Sequence, residues 1–525
     1  MENLVEEKLR VLLKNRYILV LFILLFLILD SLVFVLPYYL EGYAIPVGWD
    51  TPWYISNMRL IEEQGVFPFF VKTHGINFFS ILEYLIASAF NISFITAAMG
   101  VPIAIALLFP LVNFQIAKKL AKSNGLSLLA MLFTIVDYNV VRMAGIFHRN
   151  LFCLLLIQIA VFLVLPNLLE QRSNRDFLIF VSLMVIAGIS QMETFAMAMT
   201  VLSLLLFFYL KQRLVKCAKF LLLYILVPIF LVVLLEAPFL PILIEGHMIV
   251  NPMYMASHPH RTDLTAHPWN YALSLGMGLI PLFVVGTYVC FKNVMKHQKP
   301  LFQLLLFWNL TVIAGSFLPV FNVRVPGWRF LLLVIFPAVA LSGFVKLFLW
   351  MSSLPRKRAL SVLLLKALLL ATLFAISLTG IISNQKSVYR PWISDEIYRK
   401  LVWISDYAPN SADMVVLYVD SGASTFDYAQ FYRNWVWAVI STRANVYFGN
   451  VDSLLQSEPT SFEDPYLNLT SHIFWDNLEN FTLEGTNIYL IEEWYEFPLD
   501  NANLKEVKPG IYYIQASELA NGNFG

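Results

Sequence analysis

Long apolar runs separated by short polar connections dominate the first 383 residues. The runs fall at 17–39, 93–117, 125–143, 147–167, 176–190, 192–210, 217–237, 270–291, 301–320, 328–351 and 360–383. Most reach or approach the roughly 20 apolar residues that a helix needs to cross a bilayer. The pattern therefore predicts eleven transmembrane helices. A shorter apolar piece, 76–90, carries Glu83 and is read as lying at the outer surface. The first run is longer than a signal-peptide core, and no small-residue cleavage site follows it, so it is read as a retained span. No internal repeat is visible, which argues against the repeat-built secondary transporters.

Basic residues orient these spans, because cytoplasmic loops are enriched in Lys and Arg. With the N-terminus inside, the cytoplasmic segments hold 19 basic residues, among them Lys8, Lys118, Lys119, Arg213, Lys292 and Arg356. The outer segments before residue 384 hold seven: Arg59, Lys72, Arg142, Arg149, Arg261, Arg324 and Arg329. The expected location is a multi-pass cell-membrane protein with a cytoplasmic N-terminus and an outer C-terminus. Three outer segments are long: 40–92, 238–269 and the tail from 384 to 525. The cytoplasmic loops are short, so the chemistry is expected at the outer face or within the membrane.

The tail changes character. Runs at Met414–Val419, Asn445–Phe448, Asn487–Glu492 and Ile511–Gln515 have strand composition between polar stretches. They predict a small mixed α/β domain over 384–525 beside the membrane domain 1–383. The tail also carries two Asn-X-Thr triplets, at Asn468 and Asn480. A third, at Asn309, falls inside a span and is expected to stay unmodified.

Composition supports this division. The chain has 525 residues, 59% hydrophobic and 14% charged, with a mean hydropathy of +0.69. A soluble domain is nearer half apolar and a quarter charged, so a disordered chain and a single soluble domain are both excluded. The net charge of +1 argues against a nucleic-acid partner. It conceals an asymmetry. Residues 1–383 hold 28 basic and 16 acidic residues, and residues 384–525 hold 8 basic and 19 acidic. Cys153, Cys217 and Cys290 lie far apart in apolar runs, with neither disulfide nor metal spacing.

Candidate chemistry concentrates in the outer segments. In GWDTPWYISNMRLIEEQ, Thr51 can cap a helix that has Pro52 in its first turn. Tyr54, Met58 and Ile61 then share one face, as suits a helix lying at the membrane interface. Asp50 precedes this helix, between Trp49 and Trp53. It either starts the helix or acts as a base or metal-holding carboxylate.

The layout of one span, a long outer loop with an early acid, many spans and an outer C-terminal domain resembles the GT-C superfamily of integral-membrane glycosyltransferases. Three stretches carry the resemblance: GWDTPWYI around Asp50, GLSLLAMLFTIVDYNVVRMAGIFHRN over 125–150, and GWRFLLLVIFPAVALSG over 327–343. It implies a polytopic α-helical fold, a polyprenyl-phosphate-linked sugar as donor, and Asp50 as the catalytic acid of the first outer loop. It is also distantly like the oligosaccharyltransferase catalytic subunits, with departures. Those carry an acidic pair where this chain has His148-Arg149-Asn150, and a WWDYG motif that this tail lacks. A simpler monosaccharide transferase is the nearer match, so no cofactor is required, although a divalent metal stays chemically admissible.

Further side chains are candidates for substrate or lipid phosphate. His148 and Arg149 lie at one outer mouth, and Arg324 and Arg329 flank another. Arginine suits phosphate because its planar fork donates two parallel hydrogen bonds; ordinary interfacial anchoring is the alternative for each. Similarity to the superfamily singles out Arg329. Glu193, in SQMETF between two closely joined spans, could meet a sugar hydroxyl or form a polar turn. Asp30, inside the first span, is costly there unless partnered; a lock with Arg142 is one option. The second long loop carries His258, His260, Arg261, Asp263 and His267. Their spacing matches no helical zinc pattern, and His260 and Arg261 could meet phosphate.

The leading expectation is transfer of one sugar from a polyprenyl-phosphate donor to a lipid, glycan or protein acceptor at the outer face. The alternatives are a transporter or flippase, and a non-catalytic membrane scaffold with an outer binding domain.

Overall fold

A computed structural model describes residues 13–41, 48, 51–72, 75–170, 173–210, 219–239, 268–297, 300–317, 330–352, 359–388, 398–400, 403, 414–418, 445–449, 487–491, 505–508 and 511–515. The chain divides into two compact units. One comprises Met1–Tyr43 and His74–Arg390; the other comprises Ala44–Thr73 and Pro391–Gly525. Residues 44–73 thus group with the tail rather than with the helices on either side of them.

The helices, in chain order, are α1 (Arg16–Glu41), α2 (Thr51–Gln64), α3 (Val66–Lys72), α4 (Phe78–Phe90), α5 (Phe94–Ala106), α6 (Leu108–Ala121), α7 (Asn124–Ile135), α8 (Tyr138–Gly145) and α9 (His148–Ile157). The axis of α9 continues through a π-helical turn, Gln158–Val164, into α10 (Leu165–Glu170). Then come α11 (Asn174–Ser190), α12 (Met192–Leu210), α13 (Val227–Glu236), α14 (Pro268–Ser274), α15 (Ile280–His297), α16 (Pro300–Gly315), α17 (Phe336–Ser352) and α18 (Ala359–Val388).

Among the described residues, five helical stretches are long and apolar enough to cross a membrane: Arg16–Tyr39, Phe94–Ala121, His148–Leu169, Leu222–Phe239 and Met277–Met295. The pair α7 and α8, bent by 49° at the break, makes a sixth if counted as one span. Phe78–Phe90, Thr194–Leu204, Pro300–Gly315, Phe336–Trp350 and Ala367–Ile382 are shorter apolar helices. The fold is that of a polytopic helical membrane protein.

Short polar residues set the helix starts. Ser93, Ser123 and Ser173 each accept from the amide three residues on, as does Asn77 at the start of α4. Such caps satisfy amides that have no partner inside the helix. The spans differ in how far protein covers them. Only 11% of the most apolar window of α1 is buried, against 72% for His148–Leu169. The α1 helix therefore runs along the outside of the unit with Leu21, Leu25 and Ile28 exposed. It is fixed at its base, where Leu13 packs with Phe114, Leu128 and Met131 and accepts a 2.9 Å hydrogen bond from Asn124 Nδ2. The α9 helix is enclosed by α4, α5, α11 and α12, which makes it the central element.

Asn309 on α16 shows what its triplet is used for. Its Oδ1 accepts from the Ile335 amide at 2.9 Å, and its Nδ2 donates to the Leu305 and Ile335 carbonyls. Neighbouring Trp308 donates to the Leu333 carbonyl at 2.7 Å. Together they satisfy the non-helical backbone before α17, which lipid could not.

In the second unit, α2 starts at Thr51 as the cap pattern predicts. Tyr54, Met58 and Ile61 are buried in protein, so the apolar face expected at the membrane interface is covered instead. The strands β1 (Met414–Tyr418), β2 (Asn445–Gly449), β3 (Asn487–Ile491), β4 (Lys505–Lys508) and β5 (Ile511–Gln515) form one sheet in the order β2-β1-β3-β5-β4. Strand β1 pairs in parallel with β2 and β3, whereas β5 is antiparallel to β3 and β4. Four strands coincide with the runs read from sequence. The fifth, β4, has the sequence KEVK, a charged edge strand whose composition masks it.

Helices α15 and α17 meet backbone to backbone. A Cβ on Gly343 would overlap the Leu282 carbonyl oxygen, and one on Gly286 would overlap the Val339 carbonyl oxygen. Small residues let membrane helices meet backbone to backbone. Gly343→Val should therefore destabilise by about 1–3 kcal/mol or more through overpacking. Gly100→Ala, where nothing lies within 4 Å, should cost nothing. Thermal denaturation of the detergent-solubilised protein, followed by tryptophan fluorescence, separates the two variants.

Candidate functional site

Asp50, His260, Arg261, Arg324 and Arg329 lie outside the described residues, as do His258, Asp263 and His267. Glu193 is the second residue of α12, with its side chain outside the described part. His148, Arg149 and Asp30 are described; His148 and Arg149 make polar contacts within the helical unit, and Asp30 is buried.

The path into α9 is irregular. Helix α7 ends at Val136, and Asp137 caps α8 by accepting from the Asn139 amide at 3.1 Å. Helix α8 then ends at Ile146, and α9 begins two residues later at His148. These breaks place His148 and Arg149 in the first turn of the most enclosed helix.

His148 faces Glu83 of α4. Its Nδ1 lies 3.7 Å from Glu83 Oε1, with the two side chains 1% and 0% exposed. Among the described residues, neither carboxylate oxygen of Glu83 has a hydrogen-bond partner. Rings surround the pair: Phe79 meets His148 edge-on at 6.1 Å, and Phe152 stacks on Phe78 at 6.2 Å. A carboxylic acid beside a neutral imidazole and a carboxylate beside an imidazolium hold the same single proton. Both leave the pair net neutral, which makes its burial tolerable.

Arg149 points to another neighbour. Its Nε donates to the Ser190 carbonyl at the end of α11, at 2.8 Å, and it interacts electrostatically with Glu236. Asn150 donates to Thr194 of α12 at 3.1 Å. Glu236, the last residue of α13, is 7% exposed. Both of its carboxylate oxygens lie 3.2 Å from the Ile76 amide nitrogen, which donates to them. The start of α9, the end of α11, the start of α12 and the end of α13 are thus joined by hydrogen bonds and charge to each other and to the lead-in of α4.

Asp30, for which Arg142 or a backbone donor was the expected partner, lies near enough to Asp137 at the α7–α8 break for the two like charges to repel. Arg142 interacts with Tyr138, one turn earlier on α8. Asp30 and Asp137 are both buried. Glu83, Glu236 and Asp137 were not singled out as site residues from sequence. Glu236 could have been, because a carboxylate closing an apolar run is costly without a partner. Glu83 looked like the polar residue of a surface helix, and only its packing against α9 reveals its partner.

No group of three or more His, Cys, Asp or Glu side chains converges among the described residues.

No family profile matches the sequence, and no curated relative matches it. Solved structures do. The chain is similar to the ArnT structure from Cupriavidus metallidurans bound to undecaprenyl phosphate, with a TM-score of 0.54 and 13% identity, covering 90% of this chain and 92% of that one. The apo ArnT structure gives a TM-score of 0.55 at 11% identity. The oligosaccharyltransferase of Archaeoglobus fulgidus matches with a TM-score of 0.51 at 11% identity, over 82% of this chain and 64% of that one. This chain therefore spans under two thirds of the archaeal enzyme. The same enzyme has also been solved with an inhibitory peptide and a dolichol-phosphate, and with Zn and sulfate. The fold resembles that of the GT-C membrane glycosyltransferases, as the three sequence stretches implied.

The Glu83–His148 pair makes a direct prediction. Glu83→Gln keeps shape and neutrality and should stay within about 1 kcal/mol of wild type. Glu83→Lys buries a cation beside the imidazole and should cost about 3 kcal/mol or more. Size-exclusion profiles and melting temperatures of the two variants check this.

Proposed function

We propose that this protein is a GT-C-type glycosyltransferase that moves one sugar from a polyprenyl-phosphate donor to an acceptor at the outer face of the membrane. The observation that carries this reading is the fold likeness over 90% of the chain to ArnT, a protein solved with undecaprenyl phosphate bound. The dolichol-phosphate in the archaeal oligosaccharyltransferase structure supports the same class of lipid carrier.

In this reading residues 1–383 form eleven spans with the N-terminus in the cytoplasm, and residues 384–525 form an outer α/β domain. The donor's isoprenoid tail lies between spans. Its phosphate meets Arg329, assisted by Arg324 and Arg149 with His148, and by His260 and Arg261 from the second outer loop. Glu193 receives a hydroxyl of the sugar or the acceptor. Asp50 takes the proton of the acceptor hydroxyl as the acceptor oxygen bonds to the anomeric carbon. The carbon–oxygen bond to phosphate breaks on the opposite face, inverting the configuration, and polyprenyl phosphate leaves with the electron pair. Phosphate is a good leaving group, so no general acid is needed. A divalent cation held by Asp50 would serve the same chemistry by neutralising phosphate charge, and the zinc complex of the archaeal neighbour keeps such an ion plausible.

Purified protein incubated with radiolabelled polyprenyl-phosphate sugars and a membrane-lipid extract should transfer label. Asp50→Asn should lower the rate about 10²–10⁴-fold, the range for losing a positioned base. Arg329→Ala should raise the KM for the donor. Full activity in Asp50→Asn would remove the assigned base.

A further inference from the structure

A helix that is apolar all round is ordinarily buried, and α3 departs from this. Its sequence is VFPFFVK, yet Val66, Phe67, Pro68 and Val71 are exposed, Phe67 to 68%. We propose that this face of α3 is a lipid-surface anchor, seated in the headgroup region of the outer leaflet. The choice of leaflet rests on the topology of the reading above; the lipid contact does not.

The exposed side chains form one face. At 100° per residue, Phe67 and Val71 lie a turn apart at its centre, with Val66 and Pro68 on either side. Phe69, which is buried, falls opposite. The change from polar to apolar is abrupt. Glu62, Glu63 and Gln64, in the last turn of α2, are exposed and suit water. Gly65 then ends α2 with a φ of +86°, a left-handed turn that favours glycine. Its carbonyl accepts from the Phe69 amide at 3.4 Å, which ties the new helix to that turn. An apolar face set off from charged positions is the division an interfacial helix needs.

Chain length holds α3 within reach of the bilayer surface. Ile76 donates its amide to Glu236 at 3.2 Å, near the end of the membrane-crossing stretch Leu222–Phe239. Ile76 therefore stands where that stretch leaves the bilayer. Lys72, the last residue of α3, is four residues earlier, and four residues of extended chain span about 14 Å at most. This bound follows from the covalent chain alone. Interfacial helices sit about 5–10 Å into the boundary between headgroups and acyl chains, which that tether allows. A protein partner fits less well. Four side chains on a helix about 10 Å long offer far less than the roughly 800 Å² per partner of a stable protein interface. Lipid already explains a comparable ring: Phe230, on the stretch Leu222–Phe239, is 64% exposed.

The test uses full-length protein in nanodiscs of phosphatidylcholine and phosphatidylglycerol. The photoreactive residue p-benzoylphenylalanine replaces Glu63, Phe67, Val71 or Phe230, one at a time. After irradiation, mass spectrometry should find lipid adducts at 67 and 71 within about threefold of the yield at 230, and at least about tenfold above that at 63. Adducts to protein at 67 and 71, whether to this chain or to a second copy, overturn the anchor. So do lipid adducts at 230 with none at 67 and 71. Phe67→Trp gives an independent reading. Lipids brominated near the headgroup should quench its added fluorescence at least about twofold more than lipids brominated deep in the chains; no quenching by either overturns the contact. On intact cells, Glu63→Cys should react with a membrane-impermeant maleimide, with wild type as the blank. Reaction only after the cells are opened overturns the topology, and with it the leaflet, and leaves the lipid contact standing.

Discussion

Charge without water is the constraint on which the helical unit depends. A carboxylate or guanidinium in a low-dielectric interior is tolerated only when another group answers it. This chain places two adjacent answers, His148 and Arg149, in the first turn of its most enclosed helix. His148 faces Glu83 on α4, and Arg149 reaches Ser190 on α11 and the field of Glu236 on α13. Because the two residues are neighbours, α4 is fixed against α9 at the same level at which α11 and α13 are fixed. The polar groups thus do more than avoid a penalty. Apolar packing alone lets membrane helices slide past one another, and these contacts specify where along their length they stop.

Backbone irregularity is handled by the same rule. The breaks at 136–137 and 331–335 expose amides and carbonyls that lipid cannot satisfy. Asp137 meets the first by capping α8, and Asn309 with Trp308 meets the second. Where α15 and α17 need no polar tie, glycines bring the backbones together instead. Each device occurs where the chain has a particular deficit to cover.

Much of this organisation was legible in the sequence. The apolar runs match the helices at most positions because hydrophobic length is a direct reading of bilayer thickness. Four of the five strands were visible because β-branched and aromatic residues cluster in them. Strand β4 escaped because its residues are charged. The partners of buried acids were harder to read. For Asp30 the sequence allows Arg142 or a backbone donor, yet depth along the helices, not sequence distance, decides who meets whom, and it brings Asp30 near a second buried acid, Asp137. Glu236 was passed over as the polar end of a span, since nothing in LLEAPF announces an amide 160 positions earlier. The GT-C resemblance rested on short stretches, and the fold supports it over most of the chain, while Asp50 and Arg329 lie outside the described residues.

The grouping of residues 44–73 with 391–525 in one compact unit has a consequence for biosynthesis. Helix α2 belongs to a body whose remaining residues begin at Pro391, so its final neighbours do not exist while most of the chain is being made. At about 5–20 residues per second, the stretch between the two parts keeps the ribosome occupied for on the order of tens of seconds. The sheet lengthens the wait, because β1 cannot pair with β3 until Ile491 has been made. Assembly is therefore staged, with the helical unit able to form first and the second unit closing only near the end of translation.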